Sequence, residues 1–269
     1  MDVLSAVILG LVQGIMEFLP VSSSGHLILI KDLINIDEIN RLAIGGILFL
    51  STAFATMLYF WVDIWVLIQT LMRKLGRLPV NEKDLVLLYA LSLGSIPAIV
   101  IGLFLESVFE KYLNNILFIA IVLLLSALFL MYVEWRYYQK PPHGTITVKK
   151  GWQIGLFQVL ALIPGFSRVG VTLAGGMLLG LSRLESAKFS FLLAIPLALG
   201  LGIKKLLDLI VMGGEVAWVP IMIASTISFV TALIVIHFFI YYIRHHTLWP
   251  FIWYNIILAM LAVYFISFV

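Results

Sequence analysis

An uninterrupted apolar run from Ile116 to Val133, eighteen residues without a charge, restricts the fold of this chain more than any other feature. About 20 helical residues cross a hydrocarbon core of roughly 30 Å, so a run of this length reads as a membrane span. Asn114 and Asn115 stand just before it as a start signal. The run is not isolated: 62% of the 269 residues are hydrophobic and 12% charged, against about half and about a quarter in soluble domains. That excess has no place in a soluble core.

Apolar runs between charged or Pro/Gly-rich breaks give ten segments, near 1–19, 22–35, 42–60, 85–105, 114–135, 151–163, 169–181, 187–203, 217–242 and 247–269. They divide into two sets of five at the stretch 136–150, where Pro141, Pro142, His143 and Gly144 lie among basic residues. The expected organisation is therefore repeat 1 over 1–135, a cytoplasmic linker over 136–150 and repeat 2 over 151–269. Met1 is followed directly by Asp2, which is not the basic start of a cleavable signal peptide, so the first segment is expected to stay.

The segments after Pro20 and after Pro164 run for about thirteen residues, which at 1.5 Å per residue is roughly 20 Å and too short to span. Each follows a segment that ends at Pro and Ser, so 1–35 and 151–181 read as re-entrant pairs that enter the membrane, turn and leave on the same side. Non-helical backbone at that depth is tolerated only where protein or a water-filled cavity satisfies it. The pairs also resemble one another. Gly10 and Gln13 match Gly155 and Gln158 at an offset of 145, and Pro20 and Ser23 match Pro164 and Ser167 at 144. One re-entrant pair plus three transmembrane helices per half makes the halves inverted repeats, an all-α polytopic arrangement that places sites near the midplane.

Basic residues gather on the cytoplasmic side of membrane proteins. Under this scheme one side receives Arg73, Lys74, Arg77, Lys83, Arg136, Lys140, Lys149, Lys150, Arg183, Lys188 and Arg244, and the other only Lys31, Arg41, Lys111, Lys204 and Lys205. Both termini are thus expected outside. Trp61, Trp65, Trp135, Tyr137 and Tyr138 fall where interfacial aromatic belts would lie, with Asp63 and Glu134 among them and in no need of a functional role. The net charge of +3 follows this sidedness and gives no support to nucleic-acid binding, and the absence of cysteine removes disulfides and thiolate chemistry. The histidines show no transition-metal spacing.

The chemistry sits at the two breaks. Gln13 and Glu17, four apart, share a helix face, and Ser22, Ser23, Ser24 and His26 follow Pro20. A carboxylate inside a membrane segment costs roughly 2.5–3.5 kcal/mol on insertion scales. Glu17 with a serine and His26 around one helix break brings a nucleophile and acid/base groups together. At the second break Ser167 and Arg168 precede Gly170 and Thr172. The planar fork of Arg168 suits phosphate oxygens, and Ser167, Thr172 and the amides at the helix start after Gly170 would extend an anion site. A bare Arg168 to Glu17 ion pair that only locks helices together fits the same residues.

These residues resemble the undecaprenyl-diphosphatases, or bacitracin-resistance proteins, over nearly the whole chain. The resemblance is carried by Gln13-Gly-Ile-Met-Glu17-Phe-Leu-Pro-Val-Ser-Ser-Ser-Gly-His26 and by Pro164-Gly-Phe-Ser-Arg168-Val-Gly-Val-Thr172, with Ile96-Pro-Ala and the stretch Phe189 to Pro196 in support. It implies an integral enzyme of the plasma membrane that removes the terminal phosphate of a polyprenyl diphosphate, recycling the lipid carrier of envelope glycan synthesis, with an active site opening toward the outer face. By the same resemblance Ser23 is the nucleophile, Glu17 and His26 its acid/base partners, and Ser22, Ser167, Arg168 and Thr172 phosphate ligands. Gln13 stands where members carry Glu or Gln. A divalent cation, Mg or Ca, bridging Glu17 and the diphosphate is implied as well, and the oligomeric state stays open, a homodimer among the options. Two departures stand out: Val169 replaces a usual Ser, and 45–57 matches the Gly/Thr-rich third span imperfectly. A transporter or flippase of a polyprenyl phosphate carrier also suits an inverted repeat, but has no need of the Ser and His beside Glu17.

Overall fold

In the computed structural model, residues 2–23, 26, 38–110 and 115–266 are described, and backbone only for 105–110 and 265–266. Among them the chain is helical, with no strand. Ten α-helices follow in order: α1 Val3–Met16, α2 Glu38–Tyr59, α3 Trp61–Leu75, α4 Glu82–Glu110, α5 Ile116–Gln139, α6 Val148–Val159, α7 Arg168–Leu178, α8 Arg183–Met212, α9 Trp218–His245 and α10 Trp249–Ile266. The polar residues between apolar runs start these helices. Asp2, Asn115, Thr147, Ser167 and Ser182 each cap a helix by accepting from an amide three residues on, which satisfies donors that have no partner inside the helix. Asn115 is the start signal expected ahead of the long apolar run.

Five helices, α2, α4, α5, α8 and α9, are long and apolar enough to cross a membrane. The chain is an integral membrane protein. The tenth, α10, is a shorter apolar helix. With 14, 12 and 11 residues, α1, α6 and α7 reach about 21, 18 and 17 Å, too short to span. In the second segment pair, α6 runs through a short 3-10 turn, Leu160–Leu162, into the break before α7. The returning segment 22–35 of the first pair lies largely outside the described residues. Irregular backbone between the two sets of helices is confined to 140–147, since α5 continues to Gln139 and α6 starts at Val148. The amides of His143 and Gly144 tie this stretch to the Gly180 carbonyl after α7.

One helix was not expected. Beyond Tyr59 the chain does not enter a loop toward Arg73 but continues as α3 after a one-residue break at Phe60, so Arg73 and Lys74 occupy its last turn. Its Trp61, Trp65, Ile68, Met72 and Leu75 stay exposed.

Packing pairs the two sets across the middle. Helix α1 lies on α9 and α6 on α4, while α2 packs along α8 and α5 along α10. Glycine permits the closest approaches: a Cβ at Gly10 would stand 2.5 Å from the Ala224 carbonyl oxygen, and one at Gly155 2.1 Å from that of Gly94. Small residues let membrane helices meet in this way. The central core joins both breaks, because Phe18, one residue after Glu17, is buried edge-on to Phe191 at 5.6 Å, and Val169 and Leu173 belong to the same cluster. The breaks are thereby held against a common wall on α8.

Candidate active site

Helix α1 ends at Met16, so Glu17 stands at its C-cap, directly before the irregular stretch 18–22. Its carboxylate is gripped from three directions. Gln13, one turn back, donates Nε2 to Oε2 at 3.1 Å. Arg168, the first residue of α7, donates Nη2 to Oε1 at 2.8 Å. The Ser23 hydroxyl is within hydrogen-bonding reach of the same carboxylate. Residues 151 positions apart thus close one site from two breaks. Burial of Gln13, Glu17, Ser22 and His26 makes the ion pair costly to form and more costly to break, since removing one partner of a buried pair costs about 3–5 kcal/mol.

Arg168 is not exhausted by this contact. Its Nη1 is buried and has no hydrogen-bond partner among the described residues. Arg168 also lines a small void between α2 and α8, with Phe18, Thr52, Thr56, Ala194 and Ile195, that is too tight to admit water. Thr52 and Thr56 come from the segment that matches the third-span pattern imperfectly, and their hydroxyls donate back to carbonyls of α2.

The other anion-site candidates are arranged differently from the expectation. Helix α7 starts at Arg168, not after Gly170, and the Gly170 amide is taken by the Ser167 hydroxyl oxygen at 3.1 Å. That hydroxyl donates in turn to the Leu19 carbonyl, also at 3.1 Å, so Ser167 sews the two breaks together. Thr172 donates to the Arg168 carbonyl at 2.8 Å and pairs with Ser190. Both hydroxyls are engaged in holding Arg168 and the second break. Val169 is buried in the apolar core and does not line the anion site.

His26 has both ring nitrogens occupied, Nδ1 against the Ser22 carbonyl oxygen and Nε2 against the Tyr254 hydroxyl, each at 2.6 Å. Next to Tyr254, Asn255 donates Nδ2 to the Pro20 carbonyl at 3.0 Å. Neither α10 residue was a candidate from sequence: they are polar, but in an apolar tail run whose distance from the motif in sequence hides their place. The pseudo-repeat also stops short of the chemistry. Gln158, the counterpart of Gln13, is fully buried with neither amide atom bonded among the described residues, and no acid follows it one turn on, where Leu162 stands.

No cluster of three or more His, Asp or Glu is present among the described residues. Glu17 is the carboxylate at the junction, so a cation there needs oxygens from a bound phosphate to complete its shell. Carboxylates plus phosphate oxygens are a usual way to hold Mg²⁺, but both Glu17 oxygens already accept hydrogen bonds, from Gln13 and Arg168, so a cation would have to share or displace one of them.

Five helices long and apolar enough to cross a membrane, packed around two helix breaks that meet at a buried carboxylate and a guanidinium, define a polytopic membrane protein. The sequence matches the family described as bacitracin resistance protein BacA over residues 6–261. The chain belongs to that family. Proteins named undecaprenyl-diphosphatase resemble it throughout: that of Trichlorobacter lovleyi is 37% identical over 99% of this chain and 100% of its own length. The one from Kineococcus radiotolerans is 38% identical over 97% and 93%, and the one from Fusobacterium nucleatum 37% over 96% and 98%.

Proposed function

We infer that this chain is a membrane phosphatase that hydrolyses an undecaprenyl-type diphosphate to the monophosphate and inorganic phosphate. One observation carries the reading beyond family membership. Arg168 spends one nitrogen on Glu17 and keeps another, buried and without a partner among the described residues, facing the same junction as Ser23. A transporter needs a cation for its anion, but has no use for a serine held on a carboxylate.

Water is added across the terminal P–O–P anhydride, and the lipid monophosphate leaves with the bridging oxygen. Ser23 is the hydroxyl that attacks the terminal phosphorus or orients the attacking water, and Glu17 takes the proton. Contact between Ser23 and the Glu17 carboxylate supports Glu17 as the base, and His26, held by Ser22 and Tyr254, is the second acid/base group of the site. Arg168 neutralises charge that builds on the phosphoryl oxygens, a contribution worth about 10²–10³-fold for a single well-placed donor. A bound Mg or Ca ion, held by Glu17 and the diphosphate, would supply further neutralisation.

The same reading takes the two sets of helices as inverted repeats, with both termini outside the plasma membrane and the site opening outward. Support comes from the exchange of partners, α1 on α9 against α6 on α4, from the matching close approaches of Gly10 and Gly155, and from the skew of basic residues.

The test is release of phosphate from a long-chain prenyl diphosphate by purified, monodisperse protein in detergent, beside Glu17→Gln and Arg168→Ala. Wild type is expected to turn over and both variants to lose at least about a hundredfold. A well-folded wild type that releases nothing sinks the enzyme reading.

A further inference from the structure

Helix α10 grips the first break at two points. Asn255 holds the Pro20 carbonyl and Tyr254 holds the His26 ring, so consecutive residues of one helix hold the break at Pro20 and the histidine beyond it. We propose that Tyr254 is a positioning residue for His26: it fixes the tautomer and the plane of the imidazole, leaving Nε2 as the nitrogen through which His26 exchanges its proton. The proposal rests on the reading of His26 as an acid/base group of the phosphatase site.

Hydrogen-bond chemistry decides the tautomer. The Ser22 carbonyl oxygen can only accept, so the ring nitrogen 2.6 Å from it, Nδ1, carries the hydrogen. In the neutral ring Nε2 then has a lone pair, and the Tyr254 hydroxyl 2.6 Å away is its donor. When Nε2 is protonated, the same phenol oxygen turns from donor to acceptor and the contact survives. Few side chains can serve both states; a carboxylate would favour the cation and an amide nitrogen would exclude it.

Orientation is set by the same pair. The His26 and Tyr254 rings are nearly parallel, 11° apart with centroids at 5.5 Å. With Nδ1 anchored one turn back on Ser22 and Nε2 anchored on Tyr254, the ring has no freedom to flip. His26 itself is buried, while Tyr254 is 41% exposed at the outside of the bundle. The phenol therefore joins a buried imidazole to the outer side of α10.

The wild-type protein supplies the first test. Nitrogen NMR of histidine-labelled protein in detergent, with the His26 signals assigned by their loss in His26→Gln, should show an Nδ1–H ring with a hydrogen-bonded Nε2. The opposite tautomer overturns the proposal without any variant at 254. The second test is a cycle of Tyr254→Phe and His26→Gln on folded protein, scored by kcat and KM for prenyl diphosphate hydrolysis. Tyr254→Phe should lower kcat about tenfold with KM nearly unchanged, move Nε2 toward the value of an unbonded ring nitrogen, and have no further effect once His26 is Gln. A Tyr254→Phe loss that persists in full in the His26→Gln background is a packing effect and overturns the proposal. Full activity in Tyr254→Phe beside an inactive His26→Gln overturns it while leaving the role of His26 standing. Full activity in His26→Gln overturns the role of His26, and the proposal with it.

Discussion

Arg168 meets Glu17 through Nη2 at 2.8 Å and holds Nη1 in reserve at the same junction, buried and without a partner among the described residues. Structure and chemistry lean on the same guanidinium, and a substitution series can separate them. Arg168→Lys keeps a charge to pair with Glu17 but loses the fork that serves two acceptors at once. It should remain folded while phosphate release falls by about a hundredfold. Arg168→Ala strands the Glu17 carboxylate and should also lower stability, by about 3 kcal/mol. Thermal scans of purified protein beside the phosphate assay read both quantities. Equal activity in Arg168→Lys and wild type would reduce the pair to a helix lock.

Gly10 and Gly155 carry a second expectation. A methyl group at Gly155 would sit 2.1 Å from the Gly94 oxygen and one at Gly10 2.5 Å from the Ala224 oxygen, both against backbone that cannot rotate away. Gly155→Ala should cost about 2 kcal/mol or more through overpacking, with Gly10→Ala slightly milder. Gly200, with nothing within 4 Å of its would-be Cβ, is the control whose alanine variant should unfold near the wild-type temperature. Size-exclusion after a heating series ranks the three. An unshifted Gly155→Ala would mean that α6 and α4 are not packed at this distance.

The breaks, and the residues that meet across them, were legible because polar groups are conspicuous in apolar sequence. Glu17 and Arg168 have no other reason to lie between Leu-rich runs, and Pro20 and Pro164 mark where the helices fail. What stayed hidden had no such contrast. Helix α3 follows α2 through Phe60 alone, at φ −101° and ψ 27°, without a proline or glycine to announce it, and its apolar face continues the hydrophobic pattern. Tyr254 and Asn255 are part of an apolar helix and acquire meaning only from Pro20 and His26, more than two hundred residues away. Sequence also gave no sign that α7 starts at Arg168 and that Ser167 and Thr172 cap and brace this start, which engages both hydroxyls.

Removal of divalent cations bears on the Glu17 carboxylate at the junction. If Glu17 holds Mg or Ca with the diphosphate, EDTA-treated protein should lose at least about tenfold in phosphate release and recover on addition of either ion. Gln13→Glu, which puts a second carboxylate one turn before Glu17 on the same helix face, should lower the ion concentration needed for half-maximal rate. Activity of wild type that is indifferent to EDTA would leave charge neutralisation to Arg168 alone.

Glu134 was expected to need no functional role, and the structure gives it a structural one. It is fully buried, paired with Arg183, and the Arg183 guanidinium carbon lies 4.1 Å from the centroid of the Tyr137 ring. The pair joins the end of α5 to the first turn of α8, on which the Ser182–Glu185 capping box already fixes the chain direction. Removing Glu134 leaves Arg183 with its stacking but no counter-ion, and removing Arg183 leaves a carboxylate with no exposure at all. Glu134→Ala should therefore cost about 3 kcal/mol and Arg183→Ala somewhat more, and Arg183→Lys should fall between wild type and alanine because it keeps the charge without the planar stack. None of these residues reaches the Glu17–Arg168 junction, so turnover per folded molecule should stay within about twofold of wild type. Melting temperature and specific activity measured on the same fractions check the prediction, and a variant of Glu134 that melts like wild type while losing turnover would transfer this pair from the scaffold to the site.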